Sequence, residues 1–185
     1  MQATNQLTEE HKKQLLSLAR ETIKEYLATG RRKEFHTDDK TLIQKAGAFV
    51  TLKKMGELRG CIGYIVSDIP LHQTIIEAAI SAATGDPRFP PMGTEELDQV
   101  TVEISVLSPP KVVTKTEEIE VGEHGLIITK GVNRGLLLPQ VATEQGWDKT
   151  TFIQHTCLKA GLPLDAWEKG AKMEVFSAQV FGEED

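Results

Sequence analysis

The sequence predicts an α+β fold with a mainly antiparallel sheet and flanking helices. Three observations carry that expectation. Helical and strand-like segments do not alternate in the regular order a doubly wound parallel sheet requires. Strand-like runs are joined by short glycine-containing turns, the mark of hairpins. A chain of 185 residues is long enough for one sizeable core, or for one core with a smaller lobe.

Thr8 is a candidate cap for a helix running to about Thr29, with Gly30 as its stop. Leu15, Leu16, Ala19, Ile23, Tyr26 and Leu27 fall on a helical period. Arg31 to Lys40 reads as a charged, mobile-looking connection. Ala48 to Lys54 and Leu58 to Ile65 read as two strands of a hairpin around Met55-Gly56-Glu57. Asp68 and Pro70 open a second helix that ends at Gly85. Its Ala and Ile content predicts deep packing at close range.

Gly85-Asp86-Pro87-Arg88-Phe89-Pro90-Pro91 can be neither helix nor central strand, and its prolines predict a stiff loop. Val100, Val102, Ile104 and Val106 alternate with polar residues, as in a half-buried strand that Ser108-Pro109-Pro110 ends. Gly125 to Lys130 and Gly135 to Leu138 read as short strands around Gly131. Pro139 to Gln145 reads as a short helix, and Asp148 caps another that ends at Gly161. Met173 to Phe181 reads as one closing strand before an acidic tail.

Apolar residues make up 39% and charged residues 26%, so the chain is not of disordered type. The formal net charge of -6 disfavours generic nucleic-acid binding, and ten aromatics, several in core positions, leave few for stacking on RNA. No apolar run approaches the roughly 20 residues of a membrane span, and Met1 to Gln14 is polar. Two cysteines far apart, Cys61 and Cys157, form neither a disulfide framework nor a zinc knuckle, so a cytoplasmic setting is the expectation. Scattered histidines supply no three- or four-ligand metal set, and no cofactor signature is present.

The most unusual stretch is Leu58-Arg59-Gly60-Cys61-Ile62-Gly63. On a strand Arg59 and Cys61 share a face, and a guanidinium beside a thiol favours the thiolate. Cys61 is therefore a candidate nucleophile, with Arg59 as its stabiliser; the alternative is a buried structural cysteine. A plain two-residue turn at Met55-Gly56 sets Cys61 opposite apolar Val50, which favours the structural alternative. A one-residue slip in register reverses that inference. Asp86 and Arg88 either pair to fix their loop or present charge to a ligand. His124, between two glycines, is a candidate base or simply a solvated turn residue. His155 and Cys157 fall on different helix faces, so a joint metal site is not expected, and Cys157 reads as helix core. His11, His36 and His72 show no partner pattern.

Phe49-Val50-Thr51-Leu52-Lys53-Lys54 followed by Leu58-Arg59-Gly60-Cys61-Ile62-Gly63 resembles the signature of the AMMECR domain family. The likeness continues through Asp86-Pro87-Arg88-Phe89-Pro90-Pro91, Glu103-Ile104-Ser105-Val106-Leu107, His124-Gly125-Leu126 and Gly135-Leu136-Leu137-Leu138-Pro139-Gln140-Val141-Ala142. It extends over Gly146-Trp147 and Lys159-Ala160-Gly161-Leu162-Pro163, so it spans about Ala48 to Phe181. The resemblance implies a single α+β domain, 1–185, made of two unequal lobes.

Bacterial and archaeal members of that family carry the name AmmeMemoRadiSam system protein A. That name implies association with a Memo-like protein and a radical S-adenosylmethionine enzyme. The expectation is an accessory or binding component of such a system. An enzyme using Cys61 with Arg59 and His124, and a regulatory RNA-binding protein, are the alternatives. Arg59, Cys61, Asp86, Arg88, His124 and Gln140 are expected to converge on one cleft. Two neighbouring arginines need an anion between them, so Asp86, Arg88 and Gln140 are candidates for binding a small anionic ligand.

Overall fold

Thr8 starts the first helix. In the computed structural model, which describes residues 6–185, its hydroxyl accepts from the amide of His11 at 3.2 Å, and the His11 Nδ1 accepts from the Thr8 amide at 3.2 Å. The first five residues of the polar Met1 to Gln14 stretch lie outside the described residues. Helix α1 (Glu9–Thr29) ends at Gly30 in the left-handed conformation, which glycine adopts without penalty. His11 also binds Asp39 through Nε2 at 3.0 Å, a partnership absent from any local sequence pattern. A four-residue helix α2 (Lys40–Ile43) follows, capped by Asp39.

The hairpin is present as β1 (Ala48–Lys54) and β2 (Glu57–Tyr64), followed by α3 (Leu71–Thr84) and β3 (Val100–Leu107). A 3₁₀ turn, Thr94–Gln99, precedes β3. After β4 (Lys111–Val113) come β5 (Gly125–Lys130), β6 (Asn133–Leu137), α4 (Pro139–Gln145) and α5 (Lys149–Lys159). The closing stretch is two strands, β7 (Lys172–Phe176) and β8 (Ala178–Gly182), where the sequence suggested one. The break at Ser177 lets the chain change sheets. Ser177 donates from its amide to the Ser108 hydroxyl at 2.8 Å, and Ser108 returns its amide to the Ser177 carbonyl at 2.9 Å. No helix is long and apolar enough to cross a membrane among the described residues.

The chain divides into two compact units, one comprising residues up to Leu107 plus Gln179–Asp185, the other Ser108–Ala178. The larger holds the sheet β2-β1-β3-β8. Ala48, Val50, Leu52, Val102, Ile104 and Val106 alternate onto its buried face and pack with α1 and α3 in one core. The supposed acidic tail is tied down here: Glu183 pairs with Arg20 and accepts from the Val102 amide at 2.8 Å. The connection after α1 is anchored too, because Phe35 packs on the core and Lys33 reaches Glu21 at 3.1 Å. The smaller unit holds the sheet β4-β7-β5-β6 and its own core around Phe152, Ile153, Leu126 and Ile128. Cys157 lies fully buried in that core, and burial pushes its thiol pKa up, so it is inert.

Candidate functional site: a capped edge strand

Strand β2 forms one edge of the larger unit's sheet, and four of the six candidate residues, Arg59, Cys61, Asp86 and Arg88, gather there. Met55 and Gly56 both take positive φ, as a two-residue hairpin turn requires. The register then shifts between Leu52 and Lys53: Lys53 pairs with Leu58, but Leu52 pairs with Gly60. Arg59 is the extra residue of a β-bulge. Cys61 therefore pairs with Thr51, not Val50. The slip turns the thiol onto the face opposite the Val50 and Leu52 core side chains, where it is half-buried. Thr51 Oγ1 donates to Cys61 Sγ at 3.2 Å.

Gly60 is required by what lies across from it. A Cβ there would collide with the carbonyl oxygen of Ala82 in α3, so the helix backbone rests directly on the strand. The Ala-rich face of α3 makes that approach possible, with Ala78, Ala79, Ala82 and Ala83 all buried.

The outer edge of β2 is closed by side chains. The Cys61 amide donates to Asp86 Oδ2 at 3.0 Å, and Arg88 Nη2 reaches the Cys61 carbonyl at 3.4 Å. Asp86 and Arg88 thus satisfy both backbone groups of one edge residue, as a neighbouring strand would. The loop between them is a turn: Phe89 N–H donates to the Asp86 carbonyl at 3.1 Å, with Pro87 where its fixed φ suits the second position. Arg88 grips the Asp86 carboxylate with Nε at 3.0 Å and Nη2 at 2.8 Å, and its amide donates to Oδ1 at 3.0 Å. The Asp86 side chain is 2% exposed and that of Arg88 is 55% exposed. The Arg88 guanidinium, and then the Cys61 and Arg88 amides, hold the Asp86 carboxyl far below the usual carboxylate range against the opposing effect of burial.

Arg59 is engaged separately. Its Nε and Nη2 donate to Glu96 Oε2 and Oε1 at 3.0 and 3.1 Å, and Nη2 also reaches the Pro90 carbonyl at 3.0 Å. Lys54 adds a third cation–carboxylate contact to Glu96 at 3.3 Å. Arg59, with Lys54 in support, holds the Glu96 carboxyl at about 2 despite partial burial. The Arg59 and Arg88 guanidinium carbons lie 5.9 and 5.6 Å from the centre of the Phe89 ring, which both can attract through its negative face. Two neighbouring arginines thus have two protein carboxylates, of which only Asp86 stands in the motif region of the sequence. Glu96 sits 37 positions from Arg59, in a 3₁₀ turn without a motif. Only the excess of arginine over available acid in the motif region hinted at it.

Arg59, Cys61, Asp86 and Arg88 are therefore brought together within the larger unit. His124 and Gln140 belong to the smaller one. His124 Nδ1 accepts from the Glu120 amide at 3.0 Å, and the His124 amide donates to the Glu120 carbonyl at 2.9 Å, so the residue closes its own turn. Gln140 occupies the first turn of α4, where its carbonyl accepts from the Thr143 hydroxyl at 2.9 Å. His155 stacks on Trp147 with ring centres 4.0 Å apart. Among the described residues, no group of three or more His, Cys, Asp or Glu is placed to hold a metal ion.

Comparison with known proteins covers both units. The chain is similar to protein MK0488 of Methanopyrus kandleri, 49% identical over 97% of this chain and 91% of that protein. It is similar to protein PF1979 of Pyrococcus furiosus, 47% identical over 92% of this chain and 87% of that protein. The crystal structure of PH0010, an uncharacterised protein from Pyrococcus horikoshii, superposes with a TM-score of 0.90 at 44% identity, covering 96% of this chain and 94% of that one. The AMMECR1 family model matches residues 16–181, and the chain belongs to the AMMECR1 family.

Proposed function

We propose that the chain is a non-catalytic binding component that recognises a partner protein through the loop Gly85–Pro91. The observation that carries this reading is the way the loop is held. Asp86 is buried and locks an otherwise irregular, exposed segment onto β2, while Pro87, Arg88, Pro90 and Pro91 remain exposed around Phe89. A rigid surface of arginine, proline and an aromatic ring loses little entropy on docking, and arginine and aromatics are the residues that anchor interfaces. Within the larger unit, among the described residues, the Cys61 thiol has only the Thr51 hydroxyl as a side-chain hydrogen-bond partner, and a hydroxyl is no general base. The two guanidiniums are each already bound to two carboxylate oxygens, which favours a protein surface over a small anion as the ligand.

The partner class is the one the family resemblance implies: the neighbours of this chain in such a system are a Memo-like protein and a radical S-adenosylmethionine enzyme. Native mass spectrometry of the purified protein, alone and with each neighbour, tests the reading. The expected result is a stoichiometric complex with one of them that Phe89→Ala weakens about tenfold, as loss of an interface anchor does. A complex with neither neighbour, or one indifferent to Phe89, would sink it.

A further inference from the structure

A second candidate site lies on the larger unit, and its lining includes none of Arg59, Cys61, Asp86 and Arg88. Residues 31–39 run extended between α1 and α2. Lys33, Phe35, Thr37 and Asp39 are half-buried, while Arg32, Glu34, His36 and Asp38 are exposed. A cleft of about 620 Å³ lies between this strap and the first turns of α3, where Ile69, His72, Gln73 and Ile76 line it. That volume falls within the range of small-molecule sites.

His72 is the unusual group in the wall. It is 6% exposed, and its Nδ1 is sealed from solvent with no hydrogen-bond partner. Burial, and then the neighbouring His36, push its pKa down, so the ring is neutral near pH 7. A neutral imidazole has one N–H and one lone pair. A sealed N–H without a partner is rarer in proteins than an under-used acceptor. The favoured tautomer therefore leaves the lone pair on Nδ1 and the proton on Nε2, the nitrogen left to the cleft. Among the described residues His72 spends that donor on nothing else.

The charges around the cleft select among acceptors. Arg32 gives Nε and Nη2 to Glu77 at 2.7 and 3.2 Å, and Lys33 is turned to Glu21. Glu34 and Asp38 have no ion-pair partner among the described residues. An anion would meet two free carboxylates and cations already committed, whereas a neutral acceptor meets an unspent N–H. The Phe35 ring lies 5.5 Å from the His72 imidazole, tilted by 53°, and with Ile69 and Ile76 it offers apolar surface to a flat body.

We propose that this cleft binds a small, neutral, planar compound of the heteroaromatic carboxamide class, with its acceptor on His72 Nε2 and its ring against Phe35. The test is NMR of the full chain, following the His72 and Phe35 ring signals during titration with nicotinamide or nicotinate, which share a ring and differ in charge. Nicotinamide is expected to give saturable shifts at both rings, with nicotinate at least about tenfold weaker. His72→Phe keeps a flat ring but removes the N–H, and should weaken nicotinamide about fivefold. If that variant does not fold, the wild-type pair of titrations decides alone. The double variant E34Q/D38N should narrow the gap between the two compounds. Shifts at His72 and Phe35 that never saturate with nicotinamide, or nicotinate binding as tightly, would overturn the proposal.

Discussion

Arg59 and Glu96 show how one residue's role is set by another that the sequence does not place beside it. The Arg59 side chain is 11% exposed and that of Glu96 is 20% exposed, so solvent screens their attraction only in part. Arg59→Ala should cost about 2 kcal/mol, below the about 3–5 of a fully buried broken pair, because Lys54 still faces the carboxylate. Lys54→Met should cost under about 1 kcal/mol. Denaturant titration of both variants checks the ranking. The same pair sets an acid limit. Glu96 is lowered from an ordinary 4.5 to about 2, so the folded state prefers the ionised form. Its contribution is fully present above pH 4.5 and is lost as pH falls toward 2, and Asp86 acts in the same direction. Glu96→Gln should flatten the fall in stability between those two pH values; an unchanged slope would contradict the assignment. The sequence made Arg59, Cys61, Asp86 and Arg88 legible because they stand in two short unusual stretches. Glu96 was not legible, since a long-range ion pair leaves no periodic or local trace.

At the scale of elements the helices and strands were readable wherever a physical signal is local. Thr8, Gly30, Asp148 and the alternation of Val100 to Val106 each marked a boundary or a face. Two features were not readable. The bulge at Arg59 adds one residue without changing composition, yet it decides which face carries Cys61. The break at Ser177 divides a run that is uniformly strand-like, because a change of sheet is a tertiary event. The contact of α3 with β2 gives an element-level prediction. Gly60→Ala sets a methyl group against the Ala82 carbonyl, and backbone on both sides cannot give way as a flexible side chain could. The substitution should cost about 3 kcal/mol, the upper part of the usual overpacking range. It should also disturb the amide signals of both Cys61 and Ala82 in NMR spectra. A stability loss under about 1 kcal/mol would mean that helix and strand are not in direct contact there.

The whole molecule is asymmetric in how its two units are threaded. Ser108–Ala178 is continuous, whereas the larger unit is completed only when the chain returns as β8 beside β3. The continuous unit has its own core, and both tryptophans, Trp147 and Trp167, pack against it. Excised as residues 108–178, it should fold alone, with dispersed NMR amide signals and a cooperative change of tryptophan fluorescence in urea. A core of that size supplies only about 3–5 kcal/mol, so its transition should come at low denaturant. Residues 1–107 should behave in the opposite way. Without β8 the β3 edge is bare, and without Glu183 the Arg20 guanidinium keeps, among the described residues, only the Leu97 and Val100 carbonyls as hydrogen-bond partners, with Asp98 as a more distant charge. An unpaired edge and a partly buried cation that has lost its ion pair both oppose a stable monomer. Co-expressing 1–107 with a peptide spanning 178–185 should restore solubility, because strand and carboxylate return together. If 1–107 were instead monomeric and cooperatively folded by itself, β8 would be an ornament of the sheet and the discontinuous unit would not depend on its last strand.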